Sequence, residues 1–305
     1  MERGTVIKST GSWYVVRLEN GRLAECRIRG KFRMGGIRTT NPVAVGDIVK
    51  VEESQDGCLI SGIEPRKNYI IRKSTNLSKE AHILASNVEQ ALLIVTINHP
   101  VTSTVFIDRF LASAEAYNIP VVLVFNKLDL YDEEDRAMLG GLSAIYEKIG
   151  YPCYGVSTLT GENIPVISGL LRNKVSVLSG LSGVGKSSLI NKIEPGLELK
   201  TAVISDAHDS GKHTTTFAEM FPLSGGGYII DTPGIRSFGM IDMKREEISH
   251  YFPEIFAEAK KCRFYNCTHI HEPGCAVLEA VENDAISGSR YASYLSMMEE
   301  EGKYR

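Results

Sequence analysis

Residues 175–193 read VSVLSGLSGVGKSSLINKI. Val175–Leu178 has the length and β-branched character of a buried strand, and Lys186–Ile193 has helical spacing. The segment between them, Gly180 to Ser187, spells GxxxxGK[ST]. Glycines allow such a loop to wrap backbone N–H groups around phosphate oxygens, and the helix N-terminus adds positive potential at the same place. Strand, loop and helix in this order make a phosphate-binding loop. Its cradle comprises Gly180, Leu181, Ser182, Gly183, Val184, Gly185, Lys186, Ser187 and Ser188. Lys186 is expected to reach the β- and γ-phosphates and assist their chemistry, and the Ser187 hydroxyl to hold Mg²⁺.

Three further motifs stand at the ends of strand-like runs. Asp231-Thr-Pro-Gly234 follows the apolar run Tyr228–Ile230 and lies 45 residues after Lys186. Asp231 is placed to hold Mg²⁺ through water, and the Gly234 N–H to approach a γ-phosphate. Asn126, Lys127, Leu128 and Asp129 follow Val121–Phe125. The Asp129 carboxylate can accept from guanine N1–H and from the exocyclic amine, whereas adenine offers an acceptor at N1. A mismatch of buried polar groups discriminates by roughly 10⁴–10⁵-fold. Val156, Ser157 and Thr158, at the end of the strand-like run Cys153–Ser157, supply the remaining base-side loop. Together these motifs specify a guanine nucleotide.

Their order is unusual. In ordinary P-loop GTPases the phosphate loop comes first, whereas here NKLD and Ser157 precede it and DTPG follows. A circular permutation that joins the old termini and cuts after the DxxG segment leaves such a sheet intact. Between the phosphate-loop helix and DTPG, residues 200–216 read KTAVISDAHDSGKHTTT, a polar switch-like loop. One of Thr214, Thr215 and Thr216 is expected to ligand Mg²⁺. Ile235 stands where many GTPases carry a water-orienting glutamine. His213 is the candidate to take over that work near neutral pH.

Upstream, residues 4–65 contain short strand-like runs, including two joined by Glu19-Asn20-Gly21, a hairpin signal. They fit a small barrel of the five-stranded oligonucleotide-binding type or an SH3-like barrel. Residues 1–75 hold 14 Lys+Arg against 8 Asp+Glu, and the remainder 20 against 29. A basic module on an acidic body suggests a polyanion partner. Arg27, Arg29, Lys31, Arg33 and Arg38 supply much of that charge, and Trp13, Tyr14 and Phe32 are candidate stacking rings. From residue 75 onward strand-like and helix-like runs alternate, as in a mostly parallel sheet covered by helices. Phe217–Leu223 and Tyr228–Ile230, joined by glycines, read as an antiparallel edge hairpin.

After about residue 240 the chain turns helical and polar around Cys262-x4-Cys267-x-His269-x5-Cys275. Three thiols and an imidazole within 14 residues suggest one structural Zn²⁺, with His271 as a competing donor. Cys26, Cys58 and Cys153 are scattered and read as reduced. No apolar run approaches the roughly 18 residues of a membrane span, and the start lacks a signal-peptide pattern. The expectation is a cytoplasmic protein with no membrane partner.

The order NKLD, Ser157 loop, GLSGVGKS, GKHTTT, DTPG and C-x4-C-x-H-x5-C resembles the ribosome small-subunit-dependent GTPase A family (RsgA, also called YjeQ or YloQ) over essentially the whole chain. Lys212 replaces the family's arginine. The resemblance implies an OB-fold barrel over residues 1–70, a permuted α/β P-loop GTPase domain over 71–240 and a helical zinc domain over 241–305. It also implies binding to the 30S subunit through 16S rRNA, late 30S maturation, and GTP hydrolysis to GDP stimulated by the ribosome. It favours His269 as the fourth zinc ligand. A monomer is expected. The competing reading is a GTP-regulated RNA-binding scaffold with negligible catalysis, which Ile235 would permit.

Overall fold

The computed structural model describes residues 1–10, 12–28, 42–54, 57–73, 81–197, 219–231 and 243–303. The chain forms two compact units. One comprises Met1–Leu92, Gly161–Ser179 and Gly185–Ser237; the other comprises Leu93–Thr160, Gly180–Val184 and Phe238–Arg305.

The first unit opens with β1 (Glu2–Ser9), β2 (Tyr14–Leu18), β3 (Leu23–Ile28), β4 (Ile48–Ser54) and β5 (Gly57–Ile63). β1 pairs with β2, β2 with β3, β3 with β5 in parallel, β5 with β4, and β4 returns to β1. The pairing closes on itself, so this is a five-stranded barrel. Alternation in YVVRL puts Tyr14, Val16 and Leu18 inside, where they join Val6, Cys26, Val49 and Ile60 in the barrel core. The Asn20-Gly21 turn works as its sequence suggests. Gly21 takes φ 85°, Asn20 Oδ1 accepts from the Arg22 amide at 2.9 Å, and Leu18 N donates to Arg22 O at 2.9 Å.

An antiparallel ribbon follows, β6 (Tyr69–Lys73) and β7 (Ala81–Ser86), which the sequence reading does not anticipate. Buried Asp47 joins the barrel to it. Its carboxylate accepts from Arg66 Nε and Nη2 at 2.6 Å each, from Ser86 Oγ at 2.6 Å and from Ala44 N at 2.8 Å. Gly46 is required there, because a Cβ would sit 2.0 Å from Ser86 O.

The same unit holds α3 (Ile164–Leu171), β11 (Val175–Ser179), α4 (Lys186–Ile193), β12 (Glu219–Pro222) and β13 (Tyr228–Asp231). β11 runs parallel to β13, and β13 antiparallel to β12. β12 is not the free edge expected of it. Its outer side bonds to β1 through one pair, Lys8 with Glu219, backed by an ion pair of 3.1 Å.

In the second unit β9 (Val121–Phe125) pairs in parallel with β10 (Cys153–Gly155). β9 is buried throughout, as are all residues of β8 (Gln90–Val95), which the unit enters at Leu93. Such continuous apolar runs are typical of strands covered on both faces. Helix α1 (Thr104–Ala116) is capped by Ser103. Helix α2 (Glu133–Ile149) starts on Asp132, which accepts from Asp135 N at 2.9 Å, and stops at Gly150 with φ 114°. The C-terminal lobe adds α5 (Pro253–Ala259), α6 (Ala276–Glu282) and α7 (Gly288–Lys303). It shares one core with α1: Phe252, Ile255, Val277, Ile286, Tyr294 and Met298 cluster with Ala112.

A buried charge triad sits in that contact. Arg290 donates to Asp108 Oδ1 at 2.7 Å and to both Glu254 oxygens at 2.7 and 3.2 Å, with its guanidinium 4.6 Å from the Phe252 ring centroid. Tyr146 OH also donates to Asp108 Oδ1, at 2.9 Å. Burial pushes the Asp108 carboxyl above its ordinary value, against the pull of Arg290. Arg290→Met should cost about 3–5 kcal/mol, because it leaves two carboxylates buried without their cation. Urea unfolding measures this. A loss below about 1 kcal/mol, the size of an exposed pair, would contradict it. Among the described residues, no helix is long and apolar enough to cross a membrane.

Candidate nucleotide site and metal cluster

In the second unit Asn126 leaves the end of β9 fully buried. Its Nδ2 donates to Val184 O at 2.8 Å, and its Oδ1 accepts from Thr158 N at 3.3 Å. One amide thus ties three loops together. Its backbone is held from both sides: Asn126 N donates to Val95 O at 2.9 Å, and Tyr131 OH donates to Asn126 O at 2.9 Å. Lys127 takes φ 69°, and its ammonium donates to His99 O. Asp129 is exposed, and its Oδ1 accepts from the buried Ser157 hydroxyl. That hydroxyl accepts in turn from Thr160 N at 3.1 Å. The carboxylate is therefore oriented before any ligand arrives.

The glycines of the phosphate loop are sterically required. Gly180 has φ 144°, and a Cβ there would lie 2.2 Å from Ile94 O. Val184 is buried, and Leu181, Ser182 and Gly183 lie between it and Gly180 at or near the surface. In the first unit Gly185, at φ 96°, precedes α4, and Leu189 N donates to Gly185 O at 2.9 Å. Lys186 and Ser187 are half-buried in the first turn of α4, and Ser188 is exposed. This turn brings the amides of a helix start, an ammonium and a hydroxyl together, a set that suits phosphate and a hard cation. Asp231 closes β13, its backbone paired with Glu219. Residues 200–216, including Lys212, His213, Thr214, Thr215 and Thr216, lie outside the described residues, as do Gly234 and Ile235.

The cysteine cluster lies in the C-terminal lobe, before and at the cap of α6. The ligand atoms of Cys262, Cys267, His269 and Cys275 fall within 4.8 Å of one another. Cys262 Sγ is 3.9 Å from Cys275 Sγ, and His269 Nδ1 is 3.6 and 3.4 Å from those two sulfurs. A tetrahedron with metal–sulfur bonds of about 2.3 Å and a metal–nitrogen bond of about 2.05 Å has edges near 3.8 and 3.6 Å. The group therefore fits a four-coordinate metal ion. Burial lowers the His269 imidazole below its ordinary value, which keeps a neutral donor, and pushes the Cys267 thiol up to about 12. His271 is exposed and outside the cluster.

The ligand loop has supports that the motif does not reveal. Glu272 accepts from Thr268 N at 2.6 Å, Thr268 Oγ1 at 2.5 Å, Ile270 N at 3.0 Å and His271 N at 3.2 Å. Tyr291 OH donates to His269 O at 2.7 Å, and Tyr294 OH to Thr268 O at 2.8 Å. These bonds hold His269 in its left-handed conformation, φ 57°.

The barrel corrects one expectation. Tyr14 is buried in its core, only 1% exposed, and cannot stack on a base. Trp13 is 41% exposed, with the Arg27 guanidinium 3.9 Å from its ring centroid. Arg29, Lys31, Phe32, Arg33 and Arg38 lie outside the described residues.

Comparison with known proteins agrees with this architecture. The pattern of the RsgA GTPase matches residues 63–241, and that of the RsgA N-terminal domain residues 3–59. The small ribosomal subunit biogenesis GTPase RsgA of Bacteroides fragilis strain YCH46 is 61% identical over 306 residues, 99% of each chain. Its counterpart from Porphyromonas gingivalis is 58% identical over 308 residues, covering 99% of this chain and 98% of that one. The crystal structure of YjeQ from Thermotoga maritima superposes with a TM-score of 0.83 at 38% identity, over 100% of this chain and 99% of that one. YloQ, described as a circularly permuted GTPase, superposes with a TM-score of 0.78 at 31% identity, over 100% and 96%. With its closed barrel, its phosphate loop downstream of NKLD and its Cys/His cluster, the chain belongs to the RsgA GTPase family.

Proposed function

We propose that this chain hydrolyses GTP as a checkpoint in biogenesis of the small ribosomal subunit. Binding to 16S rRNA in a late 30S particle stimulates turnover, and hydrolysis triggers release. The observation that carries the nucleotide assignment is the Asn126 amide, which fastens the base-reading loop to Val184 of the phosphate loop and to Thr158. In this reading Asn126, Lys127, Leu128, Asp129, Ser157 and Thr158 recognise guanine, and residues 180–188 hold the phosphates. Ser187, Asp231 and one of Thr214, Thr215 and Thr216 hold Mg²⁺, which when bound neutralises charge on the β- and γ-phosphates. Gly234 senses the γ-phosphate.

Cys262, Cys267, His269 and Cys275 hold one Zn²⁺, which staples the C-terminal lobe. The barrel, with its basic balance and the Trp13–Arg27 stack, grips RNA electrostatically. The functional division falls at 1–70, 71–240 and 241–305, in a cytoplasmic monomer.

GTP orders residues 200–216, and His213 orients the attacking water where Ile235 cannot. His213→Ala should retain GTP and 30S binding yet lose roughly 10²–10⁴-fold of the stimulated rate, the usual worth of positioned acid–base help. Single-turnover hydrolysis with and without 30S subunits is the test. Absence of stimulation in the parent removes the checkpoint reading and favours the scaffold. Normal stimulated turnover in the variant assigns the water to another group.

A further inference from the structure

Cys262 and Cys267 bracket a short arch, Arg263, Phe264, Tyr265 and Asn266, preceded by Lys260 and Lys261. Its rings face water: Tyr265 is fully exposed, and Phe264 and Phe256 are about two-fifths exposed. Aromatic rings beside cations are the composition of a surface on which bases stack. Two of these rings already carry cations, Lys260 at 5.0 Å from the Phe256 centroid and Arg263 at 5.5 Å from that of Phe264. Among the described residues, Tyr265 has neither a ring nor a cation partner.

The arch is a fixed mount. Lys261 N donates to Glu258 O at 2.9 Å, Cys262 N to Ala259 O at 3.1 Å and Cys267 N to Phe264 O at 3.2 Å. The neighbouring acids are occupied. Glu258 pairs with Lys261 at 2.8 Å, Glu254 with Arg290, and Glu272 with loop amides. Lys260 and Arg263 thus face solvent as uncompensated charge, in a part of the chain that is otherwise net acidic.

We propose that this arch docks unpaired RNA bases, with the Tyr265 ring as the stacking platform and Lys260 and Arg263 on the flanking phosphates. Every base offers a π-face, so a bare ring beside cations suits single strands of any sequence. In a duplex the faces are already stacked and only phosphates are offered, which would leave the tyrosine without a role. The choice of RNA over single-stranded DNA rests on the small-subunit reading above. The location and the ring chemistry do not.

Fluorescence anisotropy with the full chain tests this, using a short unstructured oligoribonucleotide and a duplex RNA of equal length. Tyr265→Ala should weaken single-strand binding about tenfold or more, leave duplex binding unchanged and keep the metal content. Tyr265→Phe should bind like the parent. Lys260→Gln with Arg263→Gln should flatten the slope of log affinity against log salt by about 1.4. Parent-like single-strand binding by Tyr265→Ala, or an equal loss on duplex, would overturn the proposal. So would intact oligonucleotide binding with weakened binding to small subunits, which would point to a ribosomal protein. If the parent ignores small subunits while Tyr265→Ala still loses the single strand, the docking surface stands and the small-subunit reading falls.

Discussion

Asp129→Asn should convert the protein from guanine to xanthine nucleotides. In the parent, the carboxylate accepts from guanine N1–H and its amine, and ATP should compete roughly 10⁴–10⁵-fold worse than GTP. The Ser157 hydroxyl already engages Oδ1, so it fixes which way a replacement amide points. The introduced amide would keep its oxygen towards Ser157 and offer its NH₂ to the xanthine C2 oxygen. Competition titrations with GTP, XTP and ATP read this directly. Equal competition by ATP and GTP in the parent, or an unchanged preference in the variant, would show that Asp129 does not face the base.

Loss of the metal should be the largest single injury to stability. Apparent binding free energies of structural zinc in small peptides are about 10–16 kcal/mol, and one of the ligands, Cys275, is itself part of the buried core of the lobe. Metal analysis of the purified protein should find close to one zinc per chain. Cys275→Ser removes a buried ligand at the cap of α6, so the variant should lose the metal and become protease-sensitive across residues 243–303. The damage should reach further than the lobe. Ala112 of α1 lies in the same core, and Arg290 of α7 neutralises Asp108 of α1. A parent without near-stoichiometric zinc would end the idea.

The elements around the phosphate loop were legible because their signals are local. Helix α4 spans Lys186–Ile193 as its spacing predicts, and the Asn20-Gly21 hairpin forms as read. Phase was harder than period. Alternation in YVVRL was visible, but Arg17 pointing out should also have placed Tyr14 inside. The β6–β7 ribbon carries no tight-turn dipeptide to announce it. Long-range polar contacts left no trace at all: Asp108 and Arg290 are 182 positions apart, and no local pattern marks them as partners. The residue types of the metal cluster were readable. The role of Glu272 was not, because a carboxylate beside a ligand looks the same whether it binds metal or buttresses a loop. At the nucleotide site the candidates were named from motifs, whereas the bond from Asn126 to Val184 O depends on a carbonyl, which every residue has.

The single rung between β1 and β12 makes this one contact of the barrel a latch instead of a hinge. A ladder of many pairs must be peeled residue by residue. One pair with one half-exposed ion pair opens at once, for about 0.5–1.5 kcal/mol of hydrogen bonding and at most about 1 kcal/mol of ion pairing. The β1 strand changes register between Val6 and Lys8, just before the rung, so the bonds that close the barrel do not depend on it. The hairpin carrying the other half of the latch has residues 200–216 before it and Thr232–Gly234 after it. This side of the barrel can then let go of β12 with its own strands intact, while Asp47 still ties the barrel to the β6–β7 ribbon through Arg66 and Ser86.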